Sequence, residues 1–225
     1  MNKYVLFPLC AAGLAFAGFA AVAGLVFCSV EPQTARAMVL LLPTAIYLFI
    51  AFLSYRQLIR DSTTLVLTVL LAIPLFIASF IYSIYLIMMQ SATETTDVRY
   101  YQRAFDAIDD REGVDGIFPL SIPEDAQSVE FYYSPGFLQG GESFELSYIA
   151  DTDELDNCSK RLCEVAEWSG SGREYGDMTG WTIQQENYDF NYYLIYWDGG
   201  FNHGEESIVT IDTDSGRITY SYNDW

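Results

Sequence analysis

Three long apolar stretches fill the first ninety residues of the chain and constrain its fold more than any other feature. They run over Tyr4–Val30, Ala37–Tyr55 and Leu65–Met89, and none of them contains a charged side chain. An α-helix needs about 20 apolar residues to cross roughly 30 Å of hydrocarbon, and each stretch has about that length or more. We therefore predict a three-helix transmembrane anchor over residues 1–90 and a separate domain over residues 91–225.

Charge is divided unevenly between these two parts of the chain, whose net charge is −19 at pH 7. Residues 1–90 carry four basic and two acidic side chains, whereas residues 91–225 carry seven basic and 28 acidic ones. A domain of that composition is repelled by nucleic-acid phosphates and by anionic lipid headgroups. We therefore predict no nucleic-acid partner. Cations, cationic peptides and neutral ligands remain possible partners.

Basic side chains beside the spans predict the orientation in the membrane. The N-terminal tail and the loop between spans two and three are basic, with Lys3, Arg56 and Arg60. The loop between spans one and two is balanced, and the segment after span three is acidic. Cytoplasmic loops carry an excess of Lys and Arg. We therefore predict a multi-pass cell-membrane protein with a cytoplasmic N-terminus and an extracytoplasmic C-terminal domain.

The first stretch also has features of a secretory signal peptide. A basic start and an apolar run precede Ala21-Val22-Ala23, which fits a cleavage site. Apolar residues continue through Gly24–Phe27, so the stretch is long enough to stay as a span. We expect retention, while cleavage stays open, and in both cases the acidic domain would lie outside.

Small side chains recur every four residues along the first span, at Gly13, Ala17 and Ala21. In lipid, such residues let helix backbones approach closely. The pattern predicts helix packing against spans two and three or against a second chain, and a merely Ala-rich helix is the alternative. The predicted partners are thus the lipid bilayer and, through the first span, another protein or a second copy.

Residues 91–225 show the periodicities of a soluble α+β domain with an antiparallel sheet and two helices on one of its faces. The helices are predicted over Asp97–Asp110 and Thr152–Trp168. The predicted strands are Val129–Tyr133, Ser143–Ala150, Trp181–Gln185, Phe190–Trp197, Ser207–Ile211 and Arg217–Tyr222. The Gly- and Ser-rich segment Ser169–Gly180 is predicted to be a mobile loop.

Two loops supply the candidate ligand-binding residues, since functional side chains are concentrated on loops. The turn over Pro135–Gly141 contains Gln139, and a second loop contains the one histidine of the chain. If the two loops meet in space, the predicted site comprises Gln139, Asp198, His203 and Glu205. A simply exposed histidine is the alternative.

Acidic clusters resemble calcium-binding loops but do not complete one. Asp153 and Asp156 lie beside Asp151, and Asp212 and Asp214 precede a glycine, yet no Glu stands at the twelfth position of an EF-hand. We assign the first cluster to a capped helix start and the second to a hairpin turn. We predict no cofactor beyond non-specific association with divalent cations. Without a Ser–His–Asp or Cys–His arrangement, we also predict that the protein is not an enzyme.

Cys158 and Cys163 are the two cysteines outside the spans. An extracytoplasmic setting permits a disulfide between them. On a straight helix, however, Cα atoms five residues apart are separated by roughly 8–9 Å, beyond the limit of about 7 Å for a bond. A disulfide would require the helix to break near Lys160, and free thiols are the alternative.

Tryptophans are concentrated in the second domain, at Trp168, Trp181, Trp197 and Trp225. If these side chains are exposed, they could stack on sugars or wall polymers. If they are buried, they belong to the core. Their strand spacing favours the core.

Phe131-Tyr132-Tyr133-Ser134-Pro135-Gly136-Phe137-Leu138-Gln139-Gly140-Gly141-Glu142, followed by a strand and an acidic helix, resembles segments of uncharacterised bacterial exported domains of the membrane-anchored and lipoprotein type. The resemblance covers Pro119–Leu162, and it is weaker over Arg217–Trp225. It implies a bacterial exported domain and transfers no catalytic residue. The chain differs from the lipoprotein version in using helical spans.

These observations predict a bacterial membrane protein whose acidic extracytoplasmic domain binds or senses a protein partner, a wall component or a cation. A structural or assembly subunit of a membrane complex is the second possibility. An enzyme is the third, and it would need a pocket that unites His203 with two carboxylates.

Overall fold

The computed structural model describes residues 3–108, 113–136, 141–199 and 204–225. The chain divides into two compact units, Met1–Ser91 and Ala92–Trp225. The first holds three long apolar helices, and the second holds a six-stranded antiparallel sheet with short helices. This confirms the predicted fold class.

The described part of the first unit contains four α-helices and one 3-10 turn. They are α1 (Lys3–Cys28), α2 (Thr34–Ala37), the 3-10 turn Met38–Leu41, α3 (Leu42–Tyr55) and α4 (Asp61–Ser91). Three continuous helical segments are long and apolar enough to cross a membrane: Tyr4–Cys28, Thr34–Tyr55 and Asp61–Ser91. The second of these is therefore a composite of α2, the 3-10 turn and α3.

A polar contact ties the loop after α1 to the end of α4. The Gln90 side chain accepts a hydrogen bond from the Gln33 backbone N–H at 3.1 Å and donates one to the Glu31 carbonyl at 2.6 Å. The Tyr82 hydroxyl donates to the Arg36 carbonyl at 3.1 Å. These bonds connect backbone groups of Glu31, Gln33 and Arg36 to α4.

The small residues of the first span lie on an exposed side of α1. Gly13, Ala17 and Ala21 are all exposed, and a Cβ added at Gly13 would meet no atom within 4 Å. The residues of α1 that pack within the unit are others, among them Ala12 and Val26. Packing of the stripe against spans two and three is therefore not observed, and contact with a second chain stays a prediction.

In the second unit, six strands form one sheet in the order β1-β2-β6-β5-β4-β3, with every neighbouring pair antiparallel. The strands are β1 (Gln127–Ser134), β2 (Ser143–Ile149), β3 (Trp168–Ser171), β4 (Asn191–Gly199), β5 (Gly204–Asp212) and β6 (Arg217–Asp224). The helical elements are the 3-10 turn Val98–Tyr100, α5 (Tyr101–Ala107), α6 (Thr152–Val165), α7 (Gly172–Thr179) and the 3-10 turn Gln185–Asn187.

Helices cover both faces of this sheet. The Tyr193 hydroxyl is hydrogen-bonded to Ser159 of α6 at 2.7 Å, whereas the ring of Tyr192 stacks on Tyr175 of α7 at 5.1 Å. Successive strand residues point to opposite faces, so α6 and α7 lie on opposite sides of β4. The predicted placement on one face holds for α5 and α6, and α7 is an additional helix on the other face.

Aromatic rings form the core between the sheet and α5. Phe144 on β2 is completely buried, and five aromatic rings lie with centroids 5.5–6.4 Å from its own: Tyr101, Phe105, Phe118, Phe131 and Tyr133. Burial of one such side chain contributes about 1.5–3 kcal/mol. This cluster holds α5 on the sheet.

Three sequence-based predictions are wrong between Thr152 and Gln185. The helix predicted to reach Trp168 ends at Val165, because Ala166 is extended and the chain enters β3. The segment predicted as a mobile loop is instead β3 followed by α7. The segment predicted as a strand over Trp181–Gln185 is not one.

Two local signals explain why α7 forms. Ser171 and Glu174 make a capping box, in which each side chain satisfies a backbone N–H of the other residue. Gly180 ends the helix in the left-handed conformation with φ +75, which glycine adopts without steric cost. The chain that follows Gly180 begins with Trp181.

Candidate functional site

A β-bulge in β4 places Trp197 on the α7 face of the sheet. Leu194 pairs with Ile208, and the next pair joins Tyr196 to Ser207, so Ile195 is an extra residue in β4. Without the bulge, strand alternation would put Leu194 and Trp197 on opposite faces. With it, Trp197 pairs with Glu206 on the face that α7 covers.

Trp197 belongs to a cluster of three tryptophans at this end of the sheet, which we name the tryptophan triad: Trp181, Trp197 and Trp225. Their ring centroids lie 5.6, 5.9 and 6.1 Å apart, with interplanar angles of 54–63°. The side chains are 44%, 39% and 41% exposed, respectively. The prediction that strand spacing buries the tryptophans is wrong for these three.

Glycines let the backbone and the indoles of the triad approach closely. Gly199 and Gly204 are paired across β4 and β5. A Cβ at Gly199 would lie 2.7 Å from the Trp197 indole nitrogen, and one at Gly204 would lie 2.7 Å from the Trp225 ring. Gly204 and Trp225 also exchange two backbone hydrogen bonds, of 2.9 and 3.0 Å.

Helix α7 connects the triad to the buried part of the same face. Tyr175 is 1% exposed, and its ring makes an edge contact with Trp181 at 6.4 Å and a tilted contact with Trp168 at 5.8 Å. A cluster of apolar side chains surrounds it: Tyr192, Leu194, Ile208, Trp168, Ile183 and Phe190. The triad is thus the exposed end of a continuous aromatic layer.

Glu206 lies beneath this layer. It is 3% exposed, and its carboxylate accepts a hydrogen bond from the Tyr175 hydroxyl. Burial raises the pKa of Glu206 above its ordinary value of 4.5, while the bond from Tyr175 partly opposes that rise. Burial and the neighbouring carboxylate also raise the pKa of Tyr175. The pair fixes the position of α7 relative to β5.

The structure brings together two of the four predicted ligand-binding residues. Asp198 and Glu205 are directly paired across β4 and β5, and Glu205 is paired with Asp224 of β6. These three carboxylates form a row at the same strand ends as the triad, on the opposite face. Gln139 and His203 lie outside the described residues.

The cysteines and acidic clusters have structural environments. Cys158 and Cys163 are free thiols on an unbroken α6, one buried against the Tyr220 hydroxyl at 3.4 Å and the other exposed, so the disulfide is absent. Asp151 caps α6 by accepting from the Glu154 N–H at 2.8 Å. Asp212 accepts from the backbone N–H of Asp214 at 3.0 Å within the β5–β6 turn. Within the described ranges, no group of three His, Cys, Asp or Glu residues is placed to hold a metal ion.

A cleft of about 240 Å³ lies on the other face of the sheet, beside α6. Several of its polar side chains are hydrogen-bonded within the domain. Tyr148 donates to Glu154 at 2.9 Å, and Arg161 donates to the Ile117 carbonyl at 3.2 Å. Tyr148, Glu154 and Arg161 thus have structural partners in this cleft.

A larger cavity of about 1010 Å³ lies among the three long helices of the first unit. Among its described lining residues, which include Gly18, Tyr47 and Phe80, none is charged. Ion and proton pathways in membranes use ionisable side chains, and this cavity offers none to such a pathway.

Comparison of the chain with models of known protein families, with curated proteins and with solved structures gave no match in any of the three. The resemblance of Phe131–Glu142 to bacterial exported domains therefore stays a prediction. The three candidate membrane spans and the sheet domain define the class: a multi-span membrane protein with one soluble α+β domain.

Proposed function

We propose that this protein is a membrane-anchored binding protein whose acidic domain lies outside the cytoplasm and engages its ligand through the tryptophan triad. One observation carries the proposal: three tryptophans are in mutual ring contact while each keeps 39–44% of its surface exposed. Clustered exposed apolar surface marks interaction sites, and tryptophan is enriched at binding hot spots.

Binding is favoured over catalysis because the triad brings contact surface and no reactive pair. The nearest buried acid on the same face, Glu206, is already hydrogen-bonded to Tyr175. Indole rings supply large, rigid contact area at a small cost in conformational entropy.

The proposal is tested by isothermal titration calorimetry of the full-length protein in a polyoxyethylene detergent, which carries neither a sugar nor a cation. The probes are basic, neutral and acidic decapeptides, together with chitohexaose and cellohexaose. We expect at least one probe to bind with a Kd below about 100 μM, a free energy near −5.5 kcal/mol. Trp181→Ala or Trp225→Ala should weaken that binding at least about tenfold.

Leu120→Ala is the matched control, because Leu120 is 69% exposed and lies outside the triad. It removes exposed apolar surface without touching the proposed site, so binding should be unchanged. The proposal is overturned if no probe binds, or if the triad variants bind as tightly as Leu120→Ala.

A further inference from the structure

The face of the sheet that carries the triad continues past the part that α7 covers. Helix α7 packs on β3, β4 and β5 through Tyr175 and the apolar side chains around it. Beyond β5, side chains of β6, β2 and β1 on this face are exposed or half-buried. We name five of them the polar strip: Tyr132, Ser143, Glu145, Ser221 and Asn223. The triad therefore borders an accessible polar surface.

Strand pairing places the polar strip beside the triad on one face. Trp197 is paired with Glu206, which is paired with Asn223 of β6. Asn223 is in turn paired with Ser143 of β2, and directly paired residues project to the same face of a sheet. Trp225 follows Asn223 by two residues and its ring contacts that of Trp197. The strip thus begins directly beside the triad.

A second row of side chains extends the strip across the sheet. Ser221 of β6 is paired with Glu145 of β2, and Glu145 is paired with Tyr132 of β1. Neighbouring strands lie 4.7–4.9 Å apart, so the strip extends about 10 Å from β6 to β1. The triad and the strip together are long enough for several units of a polymer.

The strip offers mainly neutral hydrogen-bonding groups. Glu145 is the one charged side chain among its five members. The Asn223 amide donates to the Ser221 hydroxyl at 3.2 Å. Among the described residues, the hydroxyls of Tyr132 and Ser143 have no hydrogen-bond partner. Each hydroxyl can donate and accept, so a ligand rich in hydroxyl groups would find complementary partners here.

Indole surface beside neutral polar groups is the complement of a sugar ring. A pyranose has an apolar C–H surface and a rim of hydroxyls, and the negative face of an indole attracts polarised C–H groups. The triad rings are tilted by 54–63° to one another and none is stacked flat on another, so ring surface stays accessible. In a β-1,4-linked chain, each flat pyranose advances by close to one strand spacing.

Charge and position narrow the class of polymer. The domain carries 28 acidic and seven basic side chains, so it repels anionic polymers. An extended peptide gains much of its affinity from main-chain hydrogen bonds to a free sheet edge. The strip lies on a face of the sheet, where side chains and not main-chain groups are presented. These features favour a neutral glycan over an acidic polymer or a peptide.

We infer that the tryptophan triad and the polar strip together bind a neutral β-1,4-linked glycan. Its pyranose rings stack on the indoles, and its hydroxyls bond to the strip. This inference rests on the proposed function and names the ligand class of the same site.

The probes are cellohexaose and chitohexaose, compared with maltohexaose, whose α-1,4 links curve the chain. Calorimetry of the full-length protein in the same detergent should show a Kd below about 100 μM for at least one β-linked hexamer. Maltohexaose should bind at least tenfold more weakly. The Kd of the β-linked hexamer should stay within twofold between about 50 and 500 mM salt, because a neutral ligand has no charge to screen. Equal binding of maltohexaose, or a larger salt effect, overturns the inference.

Variants of the strip test its part in binding. Asn223→Ala with Tyr132→Phe removes two hydrogen-bonding groups and should weaken binding of the β-linked hexamer at least fivefold. Asn157→Ala with Tyr55→Phe makes the same two changes at exposed positions away from the strip and should leave binding within twofold. If the two double variants bind equally, the strip does not hold the glycan and the inference fails.

Gly204→Ala provides a variant that keeps every tryptophan. The added Cβ would lie 2.7 Å from the Trp225 ring and displace it, so binding should fall at least fivefold while far-ultraviolet circular dichroism stays unchanged. Unchanged binding counts against the triad as the site. Triad-dependent binding of a peptide without binding of either β-linked hexamer overturns this inference and leaves the proposed function standing. Binding of no probe overturns both.

Discussion

Glu206 shows how one buried charge couples folding to pH. Its pKa is raised by burial, so the folded state holds this proton more tightly than the unfolded state does. The stabilisation that follows is fully present below the unfolded value, near 4.5, and is lost as the pH rises through the folded pKa. Above that range, the domain must keep a carboxylate in a site that is 3% exposed.

We therefore expect Glu206→Gln to flatten the dependence of the unfolding midpoint on pH above about 4.5. Glutamine is neutral throughout this range and can still accept the Tyr175 hydrogen bond. Thermal unfolding of the full-length protein, followed by circular dichroism at several pH values, measures the effect. Glu164→Gln, at an exposed position of α6, is the control. An unchanged slope in Glu206→Gln would show that this ionisation is not linked to folding.

A side chain at Gly141 would have almost no room. A Cβ there would lie 1.5 Å from the Asp224 carbonyl oxygen, which is backbone and cannot move aside cheaply. Gly141→Ala should lower the free energy of unfolding by about 3 kcal/mol, visible as a lower midpoint of the acidic domain. In Gly13→Ala, the new methyl group meets no atom within 4 Å, so that variant should unfold like the parent protein.

At the scale of elements, the sequence predicts long periodic segments well and exceptions to periodicity poorly. The apolar run Phe190–Trp197 predicts β4, but it cannot show that Ile195 is bulged. The bulge reverses the face of every later residue in the strand, so Trp197 joins the α7 face. The triad could not be predicted from strand spacing for this reason.

Helix α7 is absent from the sequence-based prediction although its ends carry readable signals. Ser171 with Glu174 three residues later is the pattern of a capping box, and Gly180 is a typical helix stop. A composition rich in Gly and Ser favours a loop and conceals these signals. The candidate ligand residues on loops were chosen by residue type alone. The two that lie within the described residues, Asp198 and Glu205, are paired across β4 and β5.

Ser171→Ala should test the importance of this cap. The substitution removes the side-chain acceptor for the Glu174 N–H and should cost about 1 kcal/mol. Because α7 precedes Trp181 directly, ligand binding should weaken as well. Calorimetric unfolding of the full-length protein gives the stability change, and Thr179→Ser, which keeps a hydroxyl at the helix end, is the control. A stability equal to that of the parent protein would contradict a role for the cap.

The exposed stripe on α1 carries the alternative interpretation as an assembly subunit. Substitution of Gly13, Ala17 and Ala21 by Leu would block close approach of a second helix. If the first span mediates assembly, native electrophoresis of detergent extracts should show loss of a higher-mass species. Ala78→Leu on α4 is a control at another exposed small residue. Persistence of the same species in the triple variant would contradict assembly through this face.

At the scale of the whole molecule, the division of charge is the most informative global property. A weakly basic set of spans and a strongly acidic domain are readable from the sequence, because both are sums over many residues. Such sums are insensitive to errors at single positions. The side of the membrane occupied by the domain is a finer property that rests on few basic residues.

We expect protease added to intact cells that produce the protein, stripped of their outer layers, to digest the acidic domain without lysis. The membrane-embedded fragment should survive, because lipid shields it. Digestion of a cytoplasmic marker in the same sample serves as the control for leakage. Protection of the domain until lysis would place it in the cytoplasm and contradict the proposed orientation.

The distribution of indole rings gives this protein an intrinsic optical label. All four tryptophans lie in the second unit, and three of them form the triad. The first unit contains no tryptophan, so it adds almost no emission when the excitation wavelength is selective for indole. Ultraviolet emission from the purified protein therefore reports mainly on the proposed binding surface. A ligand that covers these rings should change the colour and intensity of that emission without any added dye.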